Sequence, residues 1–260
     1  MITQLDIVDK EQADNRIDHP GSIVLDTSDV SMRIYDGQTV GGFKSQAFQR
    51  AVEPTPGPNT FIGGDATSGY YGYLGAGELI NTTDLMEMVG LTGGTTATLT
   101  PTWLKFSSDG KILYVAKTPL LGGVSWTTLA NTNLVYGGLQ IAIGNLTYKV
   151  RLMKGYGVDP TPTAPNTTNY QSGEADNSEW VKLMFKVATV TGGAWAQFTE
   201  DELGVTRNWG TGCINWMQET VASNGNALMW GNTNMRYIAS YSKGSNNNYF
   251  GWRPVLELVQ

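Results

Sequence analysis

The sequence predicts a β-rich α+β protein, and three observations predict it. Apolar residues come in short runs, alternating or continuous, each closed by Gly, Asn, Asp or Pro. Glycine is abundant at 32, and Thr and Asn are frequent, as a turn-rich fold requires. Helical spacing and helix caps occur in few places, so two main helices are expected against many strands.

Composition bounds the function before any motif does. The net charge is −6 and no region of the chain is basic, which argues against a nucleic-acid partner. One cysteine, Cys213, forbids an intrachain disulfide and a multi-cysteine zinc site; its expected role is that of a small buried side chain. One histidine, His19, leaves no His-based metal ligation and little room for Ser-His or Cys-His catalysis. Apolar runs fall short of the roughly 18 residues that span a bilayer. The charged start, MITQLDIVDKEQADNR, is unlike a signal peptide, so a soluble chain with no membrane insertion is expected.

Taken in order, residues 1–50 read as a small β module. Ser22–Asp26 and Ser31–Asp36 are its strands, with a turn at Thr27–Asp29 and Gly turns at Asp36-Gly37 and Gly41-Gly42. So few large apolar residues cannot stabilise it alone, and Val24, Ile34 and Tyr35 are expected to be buried by self-association. Residues 51–60, AVEPTPGPNT, read as a Pro-rich linker. Residues 61–260 form the second domain. A short helix is expected over Asp84–Val89, capped by Thr82 or Thr83 and stopped by Gly90. A hairpin follows, Trp103–Phe106 and Lys111–Ala116 around Ser107–Gly110. Next come a helix over Trp126–Asn131 capped by Ser125 and a hairpin, 139–143 with 148–152, around Gly144-Asn145. Residues 155–177 read as a long polar loop. The clearest helix covers 178–187, with Trp180, Leu183, Met184 and Val187 on one stripe. Thr199–Glu202 is a capping box. Strands are expected at Cys213–Met217, Leu228–Trp230 and Arg236–Tyr241. The last stretch passes from the polar run Asn246–Asn248 to an apolar strand beginning at Trp252, which should lie centrally in its sheet.

Two segments carry a resemblance. Ser22–Phe43, SIVLDTSDVSMRIYDGQTVGGF, resembles the N-terminal module of phage tail-fibre and receptor-binding proteins of the major tropism determinant family, where a similar pattern builds an intertwined trimeric β-prism. Gly251-Trp252-Arg253-Pro254-Val255 is similar to the Gly-Phe-Arg motif near the end of the C-type lectin-like domains shared by formylglycine-generating enzymes and retroelement-diversified binding proteins, with Trp in place of Phe. The run WLKF…GKILYVAK…SWTTL…YKVRLMKG is similar to phage virion proteins. The resemblance implies a small β-prism-like trimerisation module followed by a C-type lectin-like domain. It implies a homotrimer joined to other virion proteins through the N-terminal module. It also implies a virion protein that meets a glycan or protein receptor on the host surface. Formylglycine chemistry needs an active-site cysteine pair, which the single Cys213 cannot supply.

In such domains the variable, ligand-contacting positions precede the terminal strand. Here those are Trp230, Asn232, Asn234, Arg236, Tyr237, Tyr241, Lys243, Asn246, Asn247, Asn248 and Tyr249. Trp, Tyr and Arg are common interface anchors, and amides offer both donor and acceptor. Trp252 and Arg253 are expected to be structural. Neither catalytic residues nor a cofactor are expected. The amides of Asn232–Asn248 come without Asp or Glu, so no metal is expected either. A purely structural virion part is the main alternative. A polysaccharide depolymerase is a further one, its carboxylates drawn from Glu174, Asp176, Glu179 and Glu200–Glu202.

Overall fold

A computed structural model describes residues 5–20, 22–26, 31–45, 55–167, 169–170, 172–206 and 210–259. The chain divides into two compact units, Met1–Thr55 and Pro56–Gln260. The expected turn at Thr27–Asp29 lies outside the described residues.

The first unit is a four-stranded sheet in the order β1 (Leu5–Val8), β2 (Ile23–Asp26), β3 (Ser31–Ile34), β4 (Phe43–Ser45), with α1 (Lys10–Asn15) between β1 and β2. Asp9 caps α1 by accepting from the Gln12 N–H at 2.9 Å. The β1–β2 pair is parallel and the rest antiparallel. Register sorts the side chains by face, because paired residues point the same way and neighbours along a strand alternate. Val24 pairs with Arg33; both are buried, as is Ala13 of α1. The Tyr35 hydroxyl donates to the Ala13 carbonyl at 3.0 Å. On the opposite face Ile7 pairs with Leu25, and Ile23 with Ile34. That aliphatic face is open: Ile7 is 67% exposed and Ile34 47%. The expectation that Val24 and Tyr35 need a second copy to be buried is therefore corrected. The single chain buries both, and the apolar side chains it leaves open are those of the other face.

The second unit is β-rich, with two sheets and few helices among its described residues. Its strands are β5 (Gly63–Gly64), β6 (Ser68–Leu74), β7 (Thr95–Thr96), β8 (Trp103–Ser108), β9 (Lys111–Ala116), β10 (Leu121–Gly122), β11 (Leu139–Ile143), β12 (Leu146–Arg151), β13 (Ile214–Thr220), β14 (Ala227–Gly231), β15 (Ile238–Tyr241), β16 (Phe250–Trp252) and β17 (Val255–Leu258). One sheet runs β11-β12-β17-β9-β8-β6-β5 and the other β15-β14-β13-β16-β10-β7. The final strand is central, as the sequence predicts. The preceding stretch belongs to the other sheet, however. Pro254 has no N–H to give a ladder, so pairing breaks between Trp252 and Val255 and the chain changes sheets there.

Alternation along the strands builds two cores. Tyr114, Leu256, Trp103, Trp216, Met229 and Trp252 go to one. Leu113, Val115, Val255, Met217, Leu228 and Trp230 go to the other. Each sheet thus lends one face to each core.

The helices follow the local signals with adjustments. Helix α2 (Thr82–Val89) is capped by Asn81, not by a threonine: Asn81 Oδ1 accepts from the Asp84 N–H at 2.9 Å, while the Thr82 hydroxyl donates to the Thr98 carbonyl. Gly90 ends it at φ +65. Helix α3 (Trp126–Asn131) carries the expected Ser125 cap. The expected helix over 178–187 is a π-helical turn, Trp180–Met184, running into α4 (Phe185–Val187), and its apolar stripe is buried. In the β8–β9 hairpin the turn shrinks to Asp109-Gly110, both at positive φ, and the strands lengthen over Ser107 and Ser108. The second half of the Pro-rich stretch is held by side chains of the second unit. The Pro56 carbonyl accepts from the Tyr114 hydroxyl at 3.0 Å, and Asn59 Oδ1 accepts from Lys105 Nζ at 2.8 Å. Residues 51–54 lie outside the described residues.

Candidate receptor-binding surface

The surface is built on the edge strand β15 and on the segment that leads from it to β16. Three backbone bonds hold that segment in place. The Thr127 N–H donates to the Lys243 carbonyl at 3.0 Å, the Gly212 N–H to the Asn248 carbonyl at 2.9 Å, and the Ile214 N–H to the Tyr249 carbonyl at 2.9 Å. Glycines permit the close approach. Gly122 and Gly251 pair directly across β10 and β16. A Cβ at Gly122 would stand 2.1 Å from the Asn248 carbonyl oxygen.

Four of the expected residues come together. The hydroxyls of Tyr237 and Tyr241 are 3.4 Å apart. The Tyr241 and Tyr249 rings both pack on buried Phe250, with centroids 5.0 and 4.7 Å from it. Asn247 Nδ2 donates to the Tyr249 hydroxyl at 2.8 Å. Burial, then the Tyr237 hydroxyl beside it, holds the Tyr241 phenol well above its ordinary range, so it stays protonated. The three tyrosines are half-buried, and Asn246, Asn247 and Asn248 are exposed. Asn248 Nδ2 donates to the Thr211 hydroxyl at 2.8 Å. Lys243 lies 4.7 Å over the Trp126 ring, and Trp126 meets exposed Tyr136 edge-on at 6.3 Å.

Other expected residues do not join this group. Trp230 is buried: its ring stacks on Trp180 at 6.0 Å and its N–H donates to the Gly155 carbonyl at 2.9 Å. Asn232 is buried too, at φ +128, with its backbone N–H on the Val205 carbonyl. Neither is available to a receptor, and both leave the candidate set. Their positions on or just after β14, a strand buried on both faces, are the reason. Asn234 Oδ1 accepts from the Arg236 N–H at 2.8 Å, an Asx turn. Arg236 donates to the Tyr170 carbonyl at 2.9 Å and lies over the Phe185 ring. These two shape the entry to β15.

Among the described residues, Trp126 and Thr211 are neighbours that sequence reasoning missed. Trp126 meets the surface through Lys243 and Thr211 through Asn248, contacts across the fold that no local pattern marks.

Trp252 and Arg253 are buried. Arg253 Nε donates to Asn215 Oδ1 at 2.9 Å, and its terminal nitrogens donate to the carbonyls of Ala116, Lys117 and Leu203. The carboxylates considered for hydrolysis each have a partner. Glu179 holds the buried Arg151 guanidinium in a two-point pair at 2.6 and 2.8 Å. Asp176 accepts from the Gly173 N–H, Glu200 from the Met235 N–H, Asp201 from the Thr206 hydroxyl and Glu202 from Thr199. Glu174 faces the Tyr156 hydroxyl. Among the described residues no group of three or more His, Cys, Asp or Glu could hold a metal ion. No helix there is long and apolar enough to cross a membrane.

The chain matches no protein-family model and no curated protein. Solved structures titled Major Tropism Determinant P3c, M1 and I1 variants align with 99% of this chain and 100% of theirs, at 12%, 14% and 13% identity. Their TM-scores are 0.19, 0.18 and 0.19, too low for the likeness to carry an argument.

Proposed function

We propose that this chain is a receptor-binding protein of a phage virion, recognising a glycan or protein on the host surface through Tyr237, Tyr241, Asn247 and Tyr249. The observation that carries the reading is the gathering of three tyrosines and an asparagine amide on a segment fixed by backbone bonds to α3 and to residues 212–214. Tyr and Asn are the residues from which adaptable binding surfaces are made, and a held backbone lowers the ordering cost of binding. In the same reading Pro56–Gln260 has a C-type lectin-like architecture. Met1–Thr55 is a prism-like module that makes the protein a homotrimer and joins it to other virion proteins, and the chain has no catalytic role. The open aliphatic face of Ile7, Ile23, Leu25 and Ile34 supports the self-association, because a face of this kind in water marks an interaction surface.

The test is a triple change, Tyr241→Ala, Asn247→Ala and Tyr249→Ala, checked for fold by circular dichroism and then measured for adsorption to bacterial cells. Adsorption should fall at least tenfold, an estimate on the order of a hot-spot loss. Unchanged adsorption would move the surface elsewhere. Absence of adsorption by the parent chain would favour a purely structural virion part.

A further inference from the structure

We infer that the ligand of the tyrosine surface is a hydroxyl-rich glycan held by direct contact, with no bridging cation. The inference rests on the receptor-binding reading and narrows its ligand class.

Three observations point this way. The first is the chemistry of the groups that converge. The Tyr237 and Tyr241 hydroxyls are within 3.4 Å, and Asn247 Nδ2 donates to the Tyr249 hydroxyl at 2.8 Å. A phenol and a primary amide each donate and accept, so the cluster alternates the two functions over a short span. Sugar hydroxyls do the same, and the apolar C–H face of a pyranose suits the phenol rings that carry these groups.

The second is that, among the described residues, the stretch 232–249 exposes no large apolar side chain. A protein interface of standard size has a dry core with a polar rim. The exposed large apolar side chains of this unit include Phe61, Ile62, Tyr73, Met88, Leu99 and Tyr136, and none lies between residues 232 and 249.

The third is charge. Residues 232–249 contain no Asp or Glu. The two cations there face the protein's own rings, Lys243 over Trp126 at 4.7 Å and Arg236 over Phe185 at 5.6 Å. A cationic ligand finds no carboxylate in the stretch, and the oxygen-rich anionic cage that calcium requires is missing from it.

The experiment uses the labelled full chain on a panel of bacterial strains. Strains that retain it are treated with periodate, which cleaves vicinal diols, or with protease, and adsorption is repeated with and without a chelator. Periodate should remove most of the binding; protease and chelator should leave it. The double variant Tyr237→Phe and Tyr241→Phe keeps both rings and deletes both hydroxyls. It should bind about fivefold or more weakly with an unchanged circular dichroism spectrum. Binding lost to protease and kept after periodate would overturn the ligand class while leaving the receptor reading standing. Chelator-sensitive binding would overturn the direct contact. Full binding by the double variant would overturn the role of the hydroxyls. A parent chain retained by none of the strains would remove the receptor reading and this inference with it.

Discussion

Glu219 shows how a single buried carboxyl sets a stability profile. It stands on β13, nearly inaccessible, and one of its oxygens accepts from the Gly155 N–H at 2.8 Å. Burial pushes its pKa up to about 7 from the usual 4.5, the Gly155 bond pulls the other way, and Asp159 and Glu179 push it further up. The folded state therefore binds a proton that the unfolded state has released between those two values. Stability from this group is full below about pH 4.5 and is lost as pH rises through about 7, on the order of 3 kcal/mol in all. Glu219→Gln should flatten that slope and raise the melting temperature at pH 8. A variant whose unfolding midpoint keeps the parent's decline between pH 5 and 8 would place the titration elsewhere. Trp252 gives a second residue-level contrast. Its indole N–H has no partner among the described residues, so its contribution is volume. Trp252→Ala should cost about 3–5 kcal/mol in urea unfolding, and Trp252→Phe less than about 1.5. Arg253→Lys should cost about 3 kcal/mol, because an ammonium cannot reach the set of carbonyls that the guanidinium fork spans. Equal stability of Arg253→Lys and parent would deny the fork that role.

Elements were legible in the sequence where their causes are local. The β8–β9 hairpin, the Ser125 cap of α3 and the Gly90 stop of α2 each lie within a few residues of their signal, and each is found. The central place of β17 followed from its aliphatic run. Less was visible where distant residues decide. Trp230 has the character of an interface anchor, and contacts with distant residues, stacking on Trp180 and an N–H bond to the Gly155 carbonyl, show it to be core. Within the stretch read as the candidate surface, Tyr237, Tyr241, Asn247 and Tyr249 do come together, and Trp126 and Thr211 join them through contacts that no spacing announces. The Gly122–Gly251 pair is of the same kind. Gly251 stands in a motif and Gly122 does not; the bare Gly122 lets the Asn248 backbone lie against β10, and the bare Gly251 lets the Gly212 backbone lie against β16. Gly122→Ala should therefore break the Gly212–Asn248 bond, lower stability by about 2 kcal/mol and weaken adsorption, though residue 122 is not one of the clustered tyrosines or asparagines. A Gly122→Ala protein with parental melting temperature and adsorption would mean that the segment shifts at no cost.

At the scale of the whole molecule the question is what keeps the first unit folded. Among the described residues, a sheet of four short strands with one six-residue helix buries the apolar side chains of Val24, Ala13 and Tyr35, a small core for an independent unit. Ile7 and Ile34, 67% and 47% exposed, sit on a face that has no such cover among the described residues. Covering it with other copies of the chain would add the missing apolar burial. It would also repeat the tyrosine surface, so that several weak contacts act as one. Ile7→Asp with Ile34→Asp should separate these effects, because neither side chain belongs to the tyrosine surface. The parent should sediment as a trimer at micromolar concentration and the double variant as a monomer. Monomeric protein should keep its affinity for a soluble ligand while losing adsorption to cells by on the order of a hundredfold, the factor that multivalency supplies. A parent that sediments as a monomer would remove the trimer from the reading. A monomeric variant that adsorbs as well as the parent would show that one copy of the surface is enough.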